Sequence, residues 1–177
     1  MYQLLLYDYM SSTRRNFSKI LVAIDGSEIS TKAAIYAIDI ANRTGNKAGS
    51  VQLIGLTVID LTKVSHSFFA TASGYYGANE LEEKRKEAQQ WLDKVKKLAV
   101  EENNNDYNDV NDIQFKSEII EDPIPKVGSA LVDYAERENV DLIVIGTRGR
   151  TGFKKMLLGS VASDVVTYAH CPVLVVK

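Results

Sequence analysis

Leu142-Ile143-Val144-Ile145-Gly146-Thr147-Arg148-Gly149, followed after nine residues by Gly159-Ser160, is the stretch on which the reading of the chain turns. Leu142 to Ile145 is apolar without polar alternation, the pattern of a strand buried on both faces. Val161 to Ala169 reads as a helix. Between them lies a glycine-punctuated connection with a small polar residue, Ser160, at the helix entrance. Glycines let a backbone approach an anion closely and turn its N–H groups inward. The unpaired N–H groups and positive dipole end of a helix start then favour negative charge. Arg148, Arg150, Lys154 and Lys155 make the connection basic. A plain surface loop could share this spacing, so the spacing alone leaves phosphate binding and a structural connection both open.

Working outward, Lys19 to Asp25 is a second continuous apolar run, ending in a carboxylate. Gly26-Ser27 makes the turn, with Ser27 as a suitable N-cap. Ala34, Ala37, Ile38 and Ala41 recur at helical spacing, and Gly45 marks a stop. Val51 to Asp60 is the next strand. Residues 61–79 read as a long small-residue loop, and a helix is expected from about Asn79. Its charged residues, Glu80 to Lys86, read as a solvated face, and Trp91 as core. Residues 103–109 form a polar loop. Ile113 to Ile120, a short helix through Val127, Leu131 and Ala135, and a C-terminal strand Pro172–Val176 complete the pattern.

This order predicts an α/β fold: a single-domain, doubly wound, five-stranded, mostly parallel sheet with helices on both faces. Residues 1–18 read as an N-terminal extension and 19–177 as the domain. In such sheets ligands bind beyond the carboxyl ends of the strands, where strand order reverses. Asp25, Val58 and Gly146, distant in sequence, are expected to converge there.

Several classes are not expected. A net charge of −2 does not suit a nucleic-acid or membrane-surface protein. No apolar run approaches the roughly 18 residues of a membrane span, and no basic region precedes Leu4-Leu5-Leu6 as a secretory signal requires. The single cysteine, Cys171, rules out an internal disulfide framework, and a cytoplasmic location is expected. His66 and His170 have no metal-ligand spacing. No Walker A loop, dinucleotide fingerprint, kinase signature or hydrolase signature is present.

Gly146, Gly149, Gly159 and Ser160 match Gly, two residues, Gly, nine residues, Gly-Ser/Thr, a pattern that resembles the ATP-binding branch of the universal stress protein family. Ile20 to Ser27 resembles the family start, Thr57-Val58-Ile59-Asp60 its second strand end, and Cys171 to Val176 its last strand. The resemblance covers residues 19–177 and implies a Rossmann-like fold of the adenine nucleotide alpha hydrolase type.

It also implies roles. Asp25, with Ala23 and Ile24, would lie at the adenosine end, and the backbone of Val58 would read the adenine edge. Gly146, Gly149, Gly159 and Ser160 would surround ribose and phosphates, flanked by Ile145 and Val161, with Arg148 a further phosphate contact. Mg²⁺ or Mn²⁺ would accompany ATP. The implied function is an ATP-binding stress-response regulator, homodimeric through Pro172–Val176, with an unknown protein partner. ATP would order the 146–159 loop and the 61–79 segment, and catalysis would amount to slow hydrolysis or autophosphorylation. Structural roles stand beside these: Asp25 or Ser160 as helix caps, Val58 as core, Arg148 as a solvated charge. An ATPase or adenylyl-transfer enzyme, and a nucleotide-independent dimeric interaction protein, are the alternatives.

Overall fold

Each apolar run named above is a strand in the computed structural model, which describes residues 17–48, 50–64, 75–103, 113–123, 126–149 and 158–177. Strands β1 (Lys19–Ala23), β2 (Val51–Asp60), β3 (Ile113–Asp122), β4 (Leu142–Gly146) and β5 (Val173–Val176) alternate with helices α1 (Glu28–Ala48), α2 (Tyr75–Asn103), α3 (Val127–Arg137) and α4 (Ser160–Tyr168). The sheet order is β3-β2-β1-β4-β5. Every pairing is parallel, with Val22 beside both Gly55 and Val144.

Side-chain alternation sorts the strands into two cores. Ile20, Val22, Leu53 and Val144 pack with Ala34, Ile38, Leu92 and Val95 on the α1 and α2 face. Leu21, Ile54, Leu56, Ile143 and Ile145 pack with Leu131, Ala135, Ala162 and Val165 on the α3 and α4 face. Strands covered on both faces need apolar residues at successive positions, which explains runs without polar alternation. Burying one leucine such as Leu21 is worth about 1.5–3 kcal/mol.

At the amino end of the sheet, Asp141 Oδ2 accepts the Ser18 and Lys19 amides at 2.8 Å and the Ser18 hydroxyl at 2.6 Å. Phe17 packs against the α1 and α2 core.

Several element ends differ from expectation. Helix α1 runs through Gly45 to Ala48, because a glycine costs a helix only about 1 kcal/mol. Helix α2 starts at Tyr75, before Asn79, and a helical turn over 61–64 follows β2 directly. Asp60 starts that turn: its Oδ1 accepts the Thr62 amide at 3.0 Å and hydroxyl at 2.5 Å. Strand β3 continues past Ile120 to Asp122, in register with Ile59 and Asp60. Residues 1–16, 65–74, 104–112 and 150–157 lie outside the described residues, and with them His66, Arg150, Lys154, Lys155 and most of the loops expected to respond to ATP.

From β1 the chain moves first to β2 and β3, then crosses back to β4 and β5 on the other side. The order reverses between β1 and β4, which places the crevice of a doubly wound sheet beyond their carboxyl ends.

Candidate functional site

Beyond β1, the chain is held by short-range polar contacts. The buried Ile24 donates its N–H to Leu56 O at 2.9 Å, and its carbonyl accepts the Thr57 hydroxyl at 2.9 Å. Asp25 Oδ1 accepts the Ser27 amide at 3.0 Å. Ser27 caps α1, its Oγ accepting the Ser30 amide at 3.1 Å. Asp25 therefore braces the turn, and Ser27 does the capping. Gly26 between them has φ +79°, a conformation that L side chains rarely adopt.

Beyond β4, buried Thr147 ties the loop at both ends. Its amide donates to Val176 O at 2.7 Å, and its carbonyl accepts the Gly159 amide at 2.7 Å. Thus the chain leaves β4 and returns to start α4 at the same place. Gly159 is the N-cap of α4, and exposed Ser160 is the first helical residue, which corrects the cap reading of Ser160. A serine at N1 has its own amide among the first-turn N–H groups that lack an intrahelical acceptor.

The two turns meet. A β-carbon on Gly149 would stand 2.6 Å from Asp25 Oδ2, and one on Gly146 would stand 2.7 Å from Ile29 Cγ2. A β-carbon at either position would force the facing side chain to shift. Together the turns enclose a cavity of about 320 Å³. Ala23, Ile24, Asp25, Val58, Ile145, Gly146, Arg148, Gly149, Gly159, Ser160 and Val161 all line it. The start of α4 thus faces a space of the size ligand pockets have.

Asp60 lies on the β2 side of the cavity. Burial opposes its ionisation, but the Thr62 hydroxyl and Lys63, 3.1 Å from Oδ2, outweigh this and hold its carboxyl below the ordinary 3.8. Burial pushes the Cys171 thiol up, consistent with a packed cysteine. His170 Nε2 lies 3.1 Å from Val140 O.

A model of the universal stress protein family matches residues 16–177. The chain belongs to that family. Universal stress protein MJ0531 of Methanocaldococcus jannaschii is 37% identical over 178 residues, 98% of this chain and 92% of that protein. In three dimensions the chain is similar to MJ0577 of the same organism, with TM-score 0.71 at 28% identity over 92% of this chain and 96% of that one. A universal stress protein family protein of Arabidopsis thaliana with AMP bound has TM-score 0.55 at 17% identity over 90% and 91% of the two chains, a likeness of fold.

In this universal stress protein the cavity has a wall that sequence reasoning missed. Lys84, Glu87 and Trp91 of α2 line it, as do Thr57, Lys63 and Leu131. Part of the charge run read as fully solvated therefore faces the cavity. Trp91, read as core, is half-buried at the meeting of two apolar clusters and borders the same space. The available signal was positional: residues 84, 87 and 91 flank the apolar stripe of α2 at helical spacing.

Among the described residues no cluster of three or more His, Cys, Asp or Glu side chains could hold a metal by itself. A cation here would need a ligand's phosphate oxygens, the way Mg²⁺ is commonly held with one or two carboxylates. Asp25 is the carboxylate nearest the glycine turn by the contact given above. No described helix is long and apolar enough to cross a membrane.

Proposed function

We propose that this universal stress protein binds ATP in the cavity and acts as a nucleotide-dependent regulatory module. The observation that carries the reading is the approach of Gly149 to Asp25 beside the start of α4, within one cavity. A helix N-terminus suits phosphate, and a carboxylate one strand away suits a ribose hydroxyl or an amine. In this reading Gly146, Gly149, Gly159 and Ser160 surround ribose and phosphates, with Ile145 and Val161 flanking and Arg148 adding positive charge. Asp25, with Ala23 and Ile24, meets the adenosine, and the Val58 backbone meets the base. Mg²⁺ or Mn²⁺ arrives with the phosphates and neutralises their charge. AMP in the Arabidopsis relative belongs to the same ligand class.

Regulation follows from differential affinity: ATP shifts a partner-binding equilibrium only if the partner prefers one nucleotide state. The module is homodimeric through β5. Among the described residues that strand is an edge of the sheet, a template for a second copy.

The test is nucleotide content. Protein purified without added nucleotide is denatured and the supernatant chromatographed, which also separates ATP from ADP, AMP and cyclic nucleotides. Release of ATP from wild type supports the reading. Release of AMP or a cyclic nucleotide alone overturns ATP as the ligand. Nucleotide-free folded protein that takes up no ATP–Mg²⁺ overturns the reading altogether.

A further inference from the structure

Helix α2 supplies a wall with no assigned part in that reading. Trp91, the chain's single tryptophan, lies against Gly26: a β-carbon there would stand 2.6 Å from the indole Nε1. Gly26 immediately follows Asp25, so the indole borders the cavity just past the carboxylate. Lys84, two helical turns away on the same side of α2, borders it too. Neighbouring cations are engaged: Lys63 with Asp60 at 3.1 Å, Arg85 with Glu121 at 2.5 Å, Lys86 with Glu82 at 4.0 Å. The side chain of half-buried Lys84 makes no hydrogen bond or ion pair among the described residues. A lysine at a cavity wall, unengaged by the described side chains, can donate to a ligand's acceptor.

The sheet order says which part of a ligand would meet this wall. The start of α4 lies beyond β4, whereas α2 packs over β2 and β3. β4 and β2 flank β1, so the two strands run about 10 Å apart at ordinary strand spacing, and β2 reaches further past β1. A nucleotide with its phosphates at α4 therefore points its base toward α2.

We infer that Trp91 and Lys84 form the base-recognition wall of the cavity, an inference that rests on the nucleotide reading of the same site. The indole offers an apolar π surface to a heteroaromatic ring, a contact that tolerates any base. Lysine carries three donors and no acceptor, so Lys84 selects a ring nitrogen or carbonyl of the base. Stacking thus supplies affinity, and Lys84 supplies the directional contact.

The experiment compares ATP–Mg²⁺ with inorganic tripolyphosphate, which has the phosphates and no base. Both are titrated calorimetrically into the full chain as wild type, Lys84→Met and Trp91→Leu. Each variant is expected to lose about tenfold in ATP affinity, in the range of a lost base contact, and to bind tripolyphosphate as wild type does. In wild type, adenosine and ATP are expected to change Trp91 emission, and tripolyphosphate is not. Lys84→Met, on a partly exposed helix face, keeps the test open should Trp91→Leu fail to fold. Unchanged ATP affinity in Lys84→Met overturns the inference. Equal losses for ATP and tripolyphosphate also overturn it, because Lys84 would then act on the phosphates. Wild type that binds no ATP is a separate result and removes the underlying reading instead.

Discussion

Gly149 lies so close to Asp25 that a β-carbon on the glycine would stand 2.6 Å from the aspartate's Oδ2. The turn after β4 and the turn after β1 thereby border one cavity. We expect Gly149→Ala and Asp25→Ala to be strongly non-additive in ATP affinity. Each single change weakens binding, and Asp25→Ala relieves the crowding that Gly149→Ala introduces. A double-mutant cycle should return a coupling of about 1 kcal/mol or more, as for residues in contact. Additive losses would place the two residues in independent roles.

Gly26 has φ +79° with the Trp91 indole packed against it. Gly26→Ala meets both a left-handed backbone and an aromatic ring. We expect a loss of about 2 kcal/mol or more in denaturant unfolding, since the backbone conformation alone costs about 1–2 kcal/mol. Trp91 emission should shift with it. Wild-type stability in Gly26→Ala would mean that the turn has another conformation.

Acid should loosen the amino end of the sheet. Burial raises the carboxyl of Asp141, but the Ser18 hydroxyl, the Ser18 and Lys19 amides and Lys19 together hold it below the ordinary 3.8. A carboxylate depressed on folding stabilises the fold above its unfolded pKa of about 4 and loses that contribution as pH falls through its folded value. Stability is therefore expected to fall below about pH 4, and more shallowly in Asp141→Asn. Parallel pH curves for the two proteins, from urea unfolding at each pH, would contradict this.

The β5 edge makes a third site testable apart from nucleotide. Ile143 donates to Pro172 O at 3.0 Å and Thr147 to Val176 O at 2.7 Å. Alternation along a parallel ladder turns the Val173 and Val175 amides away from β4, toward the free edge. Val175→Pro removes one outward donor without breaking the β4 ladder. For a dimer paired through β5, light scattering at micromolar concentration should show wild-type dimer and variant monomer, with ATP affinity retained. A monomeric wild type would contradict the dimer.

Much of this molecule was legible in its sequence, for physical reasons. Parallel strands covered on both faces leave continuous apolar runs, so Lys19–Asp25, Val51–Asp60 and Leu142–Ile145 announced themselves and fixed the layer order. Glycines that permit close approach also stand out, and Gly146, Gly149 and Gly159 do border the cavity. Helix ends were harder. Propensity alone marks Gly45 as a stop, whereas packing of Ala34, Ile38 and Ala41 carries α1 past it. The α2 wall was not legible. Lys84 belongs to a run of charges that looks like any solvated helix face, and Trp91 adjoins a stripe shared with Leu92 and Val95. Only the placement of α2 over β2 decides which of these residues meet the cavity.

The most direct measurement is a calorimetric titration of ATP–Mg²⁺ into nucleotide-free wild type and Gly149→Val, with circular dichroism showing both folded. Saturable heat at one site per chain in wild type, lost in the variant, is expected if the glycine turn against Asp25 holds the nucleotide. Equal binding by both proteins would move the ligand away from that turn. No heat from folded wild type would leave a universal stress protein fold whose cavity serves something other than ATP.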